Sequence, residues 1–197
     1  MFSNKDLRKL IIPLVIEQLL AVTIGMADTV MVSSCGEAAV SGISLVDSIN
    51  FLLITLFSSL ATGGAVIASQ YIGRGDHKSA SLAAKQLFYA SLALSAVLGI
   101  IAVFFRKPVL NMVFGSIEAD VMAHAQIYFL LSAISYPFLA VYNAGAALFR
   151  SMGDSRTTML ISILMNTINI VGNAILIYGF QMAAAGAATA SLVSRAV

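Results

Sequence analysis

Charge is what this sequence has least of. Only 10% of its 197 residues are Asp, Glu, Lys or Arg, against roughly 25% in soluble domains. Cysteine is nearly absent too. The single thiol, Cys35, excludes an internal disulfide and any cluster of cysteines around a metal. Eleven Lys and Arg against nine Asp and Glu leave a formal charge of +2, too little for a nucleic-acid footprint, so no nucleic-acid partner is expected. No GxxxxGK[ST] phosphate loop, HExxH pair or GxSxG elbow occurs. Gly73-Arg74-Gly75 lacks the third glycine and the preceding strand of a dinucleotide loop. The chain is therefore not expected to be an enzyme or to need a cofactor.

Apolar side chain is what the sequence has in abundance, at 59% of residues and a mean hydropathy of +0.94. That excludes a disordered chain and exceeds what one small core can bury, so the solvent must be largely lipid. A β-barrel would need short alternating segments, whereas residues 92–105 are apolar at nearly every position. The expected fold is an all-α membrane protein with six transmembrane helices in one bundle. They are placed at about 10–34, 49–72, 82–105, 121–149, 159–180 and 183–197, the last incomplete. Pro13 is read as lying in a first helical turn.

Three breaker-rich connections separate these segments: Gly73 to His77, Arg106-Lys107-Pro108, and Met152 to Ser155. Lys5, Arg8 and Lys9 precede the first segment. Arg74, Lys78 and Lys85 follow the second, Arg106 and Lys107 the third, and Arg150 and Arg156 the fourth. The basic residues thus collect on the N-terminal side, which predicts a cytoplasmic N-terminus in a multi-pass cell-membrane protein, with Arg106 and Lys107 dissenting. Val197 falls inside an apolar run, so the chain is expected to be a fragment, or a half that needs a partner. Six helices fit one repeat of a twelve-helix transporter.

Two acids lie in the first segment, where a charge costs at least about 2.5 kcal/mol near the bilayer centre. Glu17 and Asp28 are eleven residues apart, which puts them within about 20° on one helix face and about 16 Å apart in height. Two roles are open to them: protonatable or cation-binding groups in a wet cavity, or carboxyls fixed by helix–helix hydrogen bonds. Asn166, Asn169 and Asn173 share a face about 60° wide on the fifth segment, as cation or ligand contacts or as interhelical glue. Asn50, Thr189 and Ser191 are weaker signals of the same kind. Arg195 faces either the inner cavity or the headgroups. Small residues at four-residue spacing, such as Gly64 and Ala68, Ala140 and Ala144, and Gly186 and Ala190, read as sites of close helix approach.

Several local patterns, taken in order, resemble the N-terminal half of the multidrug and toxic compound extrusion (MATE) transporters. They are Pro13 followed by Ala27-Asp28-Thr29, Ser69-Gln70-Tyr71-Ile72-Gly73-Arg74-Gly75-Asp76, Arg150-Ser151-Met152-Gly153-Asp154-Ser155, Asn169-Ile170-Val171-Gly172-Asn173, and Gly186-Ala187-Ala188. The resemblance implies a cation-coupled antiporter built from two six-helix bundles, expelling organic cations or other amphipathic compounds. Asp28, Asn169, Asn173 and Ser191 would take part in coupling to H+ or Na+, with Na+ held at Asp28, Asn169 and Asn173. Asn173 stands where some relatives have a carboxylate, and Ser191 where threonine is usual. Glu17 would be a secondary proton station, with Asn166 and Asn50 lining the cavity. The partners implied are the bilayer, a small-molecule drug, and a missing C-terminal lobe or second half-size subunit. The rivals are a flippase for lipid-linked oligosaccharides, favoured by a row of basic residues in the cavity, and a non-transporting scaffold subunit, which needs no inward-facing acid.

Overall fold

The computed structural model describes the backbone of residues 4–197, while the side chains of residues 4–7, 9, 10, 21, 24 and 28 lie outside the description. Lys5, Lys9 and the carboxyl of Asp28 fall in that group. Within the described residues the chain is all helical: α1 (Asn4–Ser33), α2 (Glu37–Gly73), α3 (His77–Phe104), α4 (Arg106–Phe114), α5 (Ala119–Ser151), α6 (Ser155–Asn173) continuing into a π-helical turn (Ala174–Gly179), and α7 (Ala183–Ala196). Five segments among these residues are long and apolar enough to cross a membrane: Ile11–Ser33, α2, α3, α5, and α6 with its π turn. Exposed apolar side chains such as Phe51, Phe104 and Met112 suit contact with lipid rather than water.

Three sequence expectations change. Pro13 sits well inside α1 rather than in its first turn; it has no N–H to give to the carbonyl four residues earlier. Helix α2 begins at Glu37, not near residue 49. Ser41, Ser44, Asp47 and Ser48 interrupt the apolar run there, and a hydropathy reading starts only after them. Arg106-Lys107-Pro108 opens a short helix, α4, with Phe105 as N-cap. Pro108 occupies the first turn, where a missing N–H leaves no bond unmade.

Helix α5 is the hub. It packs against α2, α3 and α7, while α1 lies mainly along α6. The main core gathers Val46, Phe57, Leu110, Phe129, Ala133 and Tyr136, with the Phe57 and Tyr136 rings edge to face at 6.1 Å. A second cluster nearer the other end holds Ala61, Ala65, Ala68, Leu87 and Ala144. The small residues expected at close approaches are there: Ala68, Ala140, Ala144 and Ala190 are at most 2% exposed. The tightest approach to another helix's backbone is at Gly42, where a Cβ would lie 2.8 Å from the Val121 carbonyl oxygen and 2.9 Å from the Ala125 nitrogen.

Two connections between long helices repeat one device. Gly75 and Gly153 take φ of +75° and +87°, a conformation that glycine adopts without strain and that ends a helix. The amide of Asp76 then donates to Tyr71 O at 3.0 Å, and that of Asp154 to Phe149 O at 2.9 Å, each satisfying a carbonyl at the helix end. Both aspartates turn round to cap the next helix: Asp76 accepts from the Ser79 N–H, and Asp154 from the Thr157 N–H and hydroxyl. Hydrogen bonds from Ser79 and from Thr157, hydroxyl before backbone, hold the two carboxyls below their ordinary value of 3.8.

Two outcomes follow from this packing and capping. Gly42→Val should destabilise the bundle by about 1–3 kcal/mol, because the obstacle is backbone and α5 must move away; an unchanged melting temperature in detergent would count against this contact. A carboxyl held low in the folded state contributes stability above its unfolded pKa, and that contribution disappears as pH falls through the folded value. Asp154→Ala should therefore lower the melting temperature at neutral pH, with the gap to the parent closing below about pH 3.8. A gap that persists in acid would mean the charged cap is not its source.

Candidate functional site

The polar side chains of the bundle gather in two places, at opposite ends of α1. The larger gathering surrounds a cavity of about 200 Å³ where α1, α2, α5, α6 and α7 meet. Helix α1 contributes Gly25 and Thr29, which flank Asp28 in sequence, and α6 contributes Asn173. Ser191 and Arg195, one turn apart on α7, complete one wall, with Asp47 of α2 and Tyr128 of α5 on another.

The expected residues Asn169, Asn173 and Ser191 are together. Asn173 Nδ2 donates to Asn169 Oδ1 at 3.2 Å, and Asn169 Nδ2 donates to Ser191 Oγ at 3.1 Å. Both asparagines are buried, and the amide chain runs from α6 to α7 with Asn173 and Ser191 on the cavity wall. Gly172 makes this possible, since its missing Cβ would lie 3.0 Å from the Ala190 methyl. The π turn after Asn173 shifts the helical phase within one turn of these amides, and such turns are frequent at functional sites. Asp28 sits on α1 at the height of this wall, but its side chain lies outside the described residues.

Asn50 and Asn166 are not among the residues lining the cavity. Asn166 is half-buried and donates to Ser162 Oγ one turn earlier at 3.2 Å. Asn50 is buried behind the wall: its Oδ1 accepts from Tyr136 OH at 2.8 Å, and its Nδ2 donates to Asp47 Oδ1 at 3.3 Å and to Ser132 Oγ at 3.4 Å. Thr189 donates to Ala185 O on its own helix.

Asp47 is the residue that sequence reasoning missed. It lies ten residues into α2, about 15 Å along the axis, and remains exposed on the cavity wall. Its Oδ1 accepts from Tyr128 OH at 2.9 Å as well as from Asn50. The usable signal was an Asp and an Asn at i and i+3, beside Ile43 and Val46, in a stretch following Gly36 and Glu37 that helical spacing could have extended backward. Arg195, left open between cavity and headgroups, is on the cavity wall, with Nη1 donating to Ser135 Oγ at 2.7 Å.

The second gathering is built on Glu17. Arg150 Nη1 lies 3.5 Å from Glu17 Oε1, Tyr142 OH donates to the same oxygen at 3.5 Å, and Thr158 Oγ1 donates to Oε2 at 3.4 Å. Arg150 therefore belongs to the last turn of α5 and spends its charge inside the bundle, where the sequence reading had assigned it to a loop. Glu17 is not on the cavity wall, and the face it was expected to share with Asp28 involves a side chain outside the described residues.

Comparison with known proteins decides the family, because the MatE family model matches residues 13–175. The chain belongs to the MatE family. It is 32% identical over 197 aligned residues to YisQ, an uncharacterized transporter of Bacillus subtilis (strain 168), covering 94% of this chain and 41% of that protein. It is 29% identical to the probable multidrug resistance protein NorM of Thermotoga maritima, covering 98% of this chain and 42% of that one. Among solved structures, a MATE protein crystallised in complex with MaD3S superposes with a TM-score of 0.91 at 25% identity, over 98% of this chain and 43% of the other. The chain thus spans about two fifths of the length of these relatives and matches about half of a MatE fold. It is a multi-pass membrane protein of a transporter family, not an enzyme.

The Glu17 pair is only partly exposed, at 31% for Arg150 and 17% for Glu17, so removing one partner strands a charge in a poorly solvated place. Arg150→Gln should cost about 1–3 kcal/mol, and Glu17→Gln combined with it should recover most of that loss. A double-mutant cycle of melting free energies with no coupling would rule out the pair as a stabilising contact.

Proposed function

We propose that this chain is the N-terminal six-helix lobe of a cation-coupled multidrug efflux antiporter that works by alternating access, with α7 as part of its sixth membrane helix. One observation carries the reading: the α1 turn bearing Asp28 and the amide–hydroxyl chain Asn173–Asn169–Ser191 meet at one polar cavity within the bundle. Membrane interiors tolerate an acid where it faces water or a ligand. The names of the relatives support drug efflux as the activity.

In this reading the N-terminus is cytoplasmic, so the cavity lies in the outer half of the lobe and the Glu17 cluster in the inner half. Oxygen atoms from carboxylate, amide and hydroxyl groups make a hard donor set suited to Na+, and a carboxylate in the same place can instead take H+. With Asn173 in place of a second acid on α6, proton coupling is favoured. The cation and an organic-cation or amphipathic substrate compete, and by linkage each weakens binding of the other by the same factor. Cation uptake at Asp28 rearranges α1 against α6 and α7, and the substrate leaves. Glu17, already paired with Arg150, is the weaker candidate for a second proton station. A flippase would call for a row of basic residues; among the described residues, the cavity has Arg195 beside the acid Asp47.

Asp28→Asn, in proteoliposomes holding the complete transporter of which this lobe is part, should reduce cation-driven ethidium efflux at least about tenfold, the factor that 1.4 kcal/mol of lost coupling represents. Undiminished exchange in that variant, under both Na+ and H+ gradients, would falsify the assignment.

A further inference from the structure

Asp47 and Arg195 face the same cavity from α2 and α7, and each is tethered by an uncharged side chain of α5. Asp47 Oδ1 is held by Tyr128 OH and Asn50 Nδ2, and Asn50 is held in turn by Tyr136. Arg195 is held by Ser135 on α5. The ion pair found among the described residues is Arg150 with Glu17, not this one. The contrast is physical. At Glu17 the cation and anion touch and neutralise each other, whereas here a carboxylate and a guanidinium line one cavity and are each hydrogen-bonded to uncharged side chains.

The charged and titratable groups facing Asp47 are few. Helix α5 presents Tyr128 and Tyr136, and α7 presents Arg195. Helix α6 presents the uncharged Asn173, and α1 carries Asp28 at this height. In the antiporter reading above, where Asp28 is the coupling acid, two aspartates against one arginine give one net negative charge, which a single monovalent cation neutralises. Without Arg195 the deficit would be two charges, and a cation would be held too tightly to leave. Without Asp47 the deficit would vanish, although Asp28 remained.

We propose that Asp47 is a second carboxylate acting on the coupling cation, and that Arg195 is a tethered counter-cation that sets the affinity of the site and limits it to one monovalent charge. The inference rests on the antiporter reading above and adds two residues to it, one on α2 and one on α7. Through a medium of intermediate dielectric, a fixed unit charge a few ångströms across the cavity shifts cation affinity on the order of tenfold.

The test is ethidium efflux from proteoliposomes holding the complete transporter, with the half-saturating cation concentration measured under a Na+ gradient and, separately, an H+ gradient. Arg195→Gln should lower that concentration about tenfold and Asp47→Asn should raise it about tenfold. The double variant should return to within about threefold of the parent, and Arg195→Lys should stay near it, because charge rather than shape is what matters. An Arg195→Gln variant that is unchanged or shifts upward, or a double variant no better than its worse single, would overturn the proposal while leaving the antiporter reading intact. A parent protein driven by neither gradient would overturn both. If Asp47→Asn does not fold, the comparison of Arg195→Gln with Arg195→Lys decides alone: equal values refute the counter-cation role, and a tenfold separation upholds it.

Discussion

A charge or an unpaired polar group in hydrocarbon is expensive, and the arrangement of this bundle follows from that cost. Helices α1, α2, α5, α6 and α7 each carry polar side chains at membrane depth, and lipid offers these groups no partners. They therefore turn toward one another around α5, which touches α2, α3 and α7. Tyr136 illustrates the consequence. Its ring packs on Phe57 in the core, while its hydroxyl donates to Asn50, so one side chain serves both apolar packing and polar satisfaction. Close helix approach at Gly42 and Gly172 brings these groups within hydrogen-bonding distance.

The same constraint is met in two ways along α1. Near its N-terminal half, Glu17 contacts Arg150 directly and accepts hydrogen bonds from Tyr142 and Thr158, which closes the charge inside a local network. Near its C-terminal half, the acid on α2 and the base on α7 line one cavity, each hydrogen-bonded to an uncharged side chain of α5. A closed pair is a packing element. An open pair keeps an electric field in a space that a ligand can enter, and on this ground the second region is the one proposed as functional.

The connections show how a helical hairpin is specified locally. Arg74-Gly75-Asp76 and Met152-Gly153-Asp154 use one glycine of positive φ and one capping aspartate, and the short turn obliges consecutive helices to run antiparallel. This places Arg150 and Ser155 at the same end of the bundle, beside Glu17. Local chemistry thus sets the height at which the Glu17 cluster forms, and packing on α5 sets its direction.

Composition and hydropathy by themselves determined the fold class and the positions of the two glycine–aspartate turns, because these depend on residues near one another in the chain; against the six membrane helices expected, five long apolar segments are found among the described residues. The asparagine face of α6 was legible for the same reason: helical periodicity alone aligns Asn169 with Asn173. The true start of α2 was hidden because Ser41, Ser44, Asp47 and Ser48 interrupt the apolar run of its first turns. Asp47 was missed with them, since a hydropathy reading cannot know which polar residue another helix will shelter. Arg150 looked like a loop charge until Glu17, 133 residues earlier, was seen beside it. Only tertiary structure could decide these pairings and the undetermined side of Arg195, because a charge survives in a membrane according to what other helices bring to it, and that partner is distant in sequence.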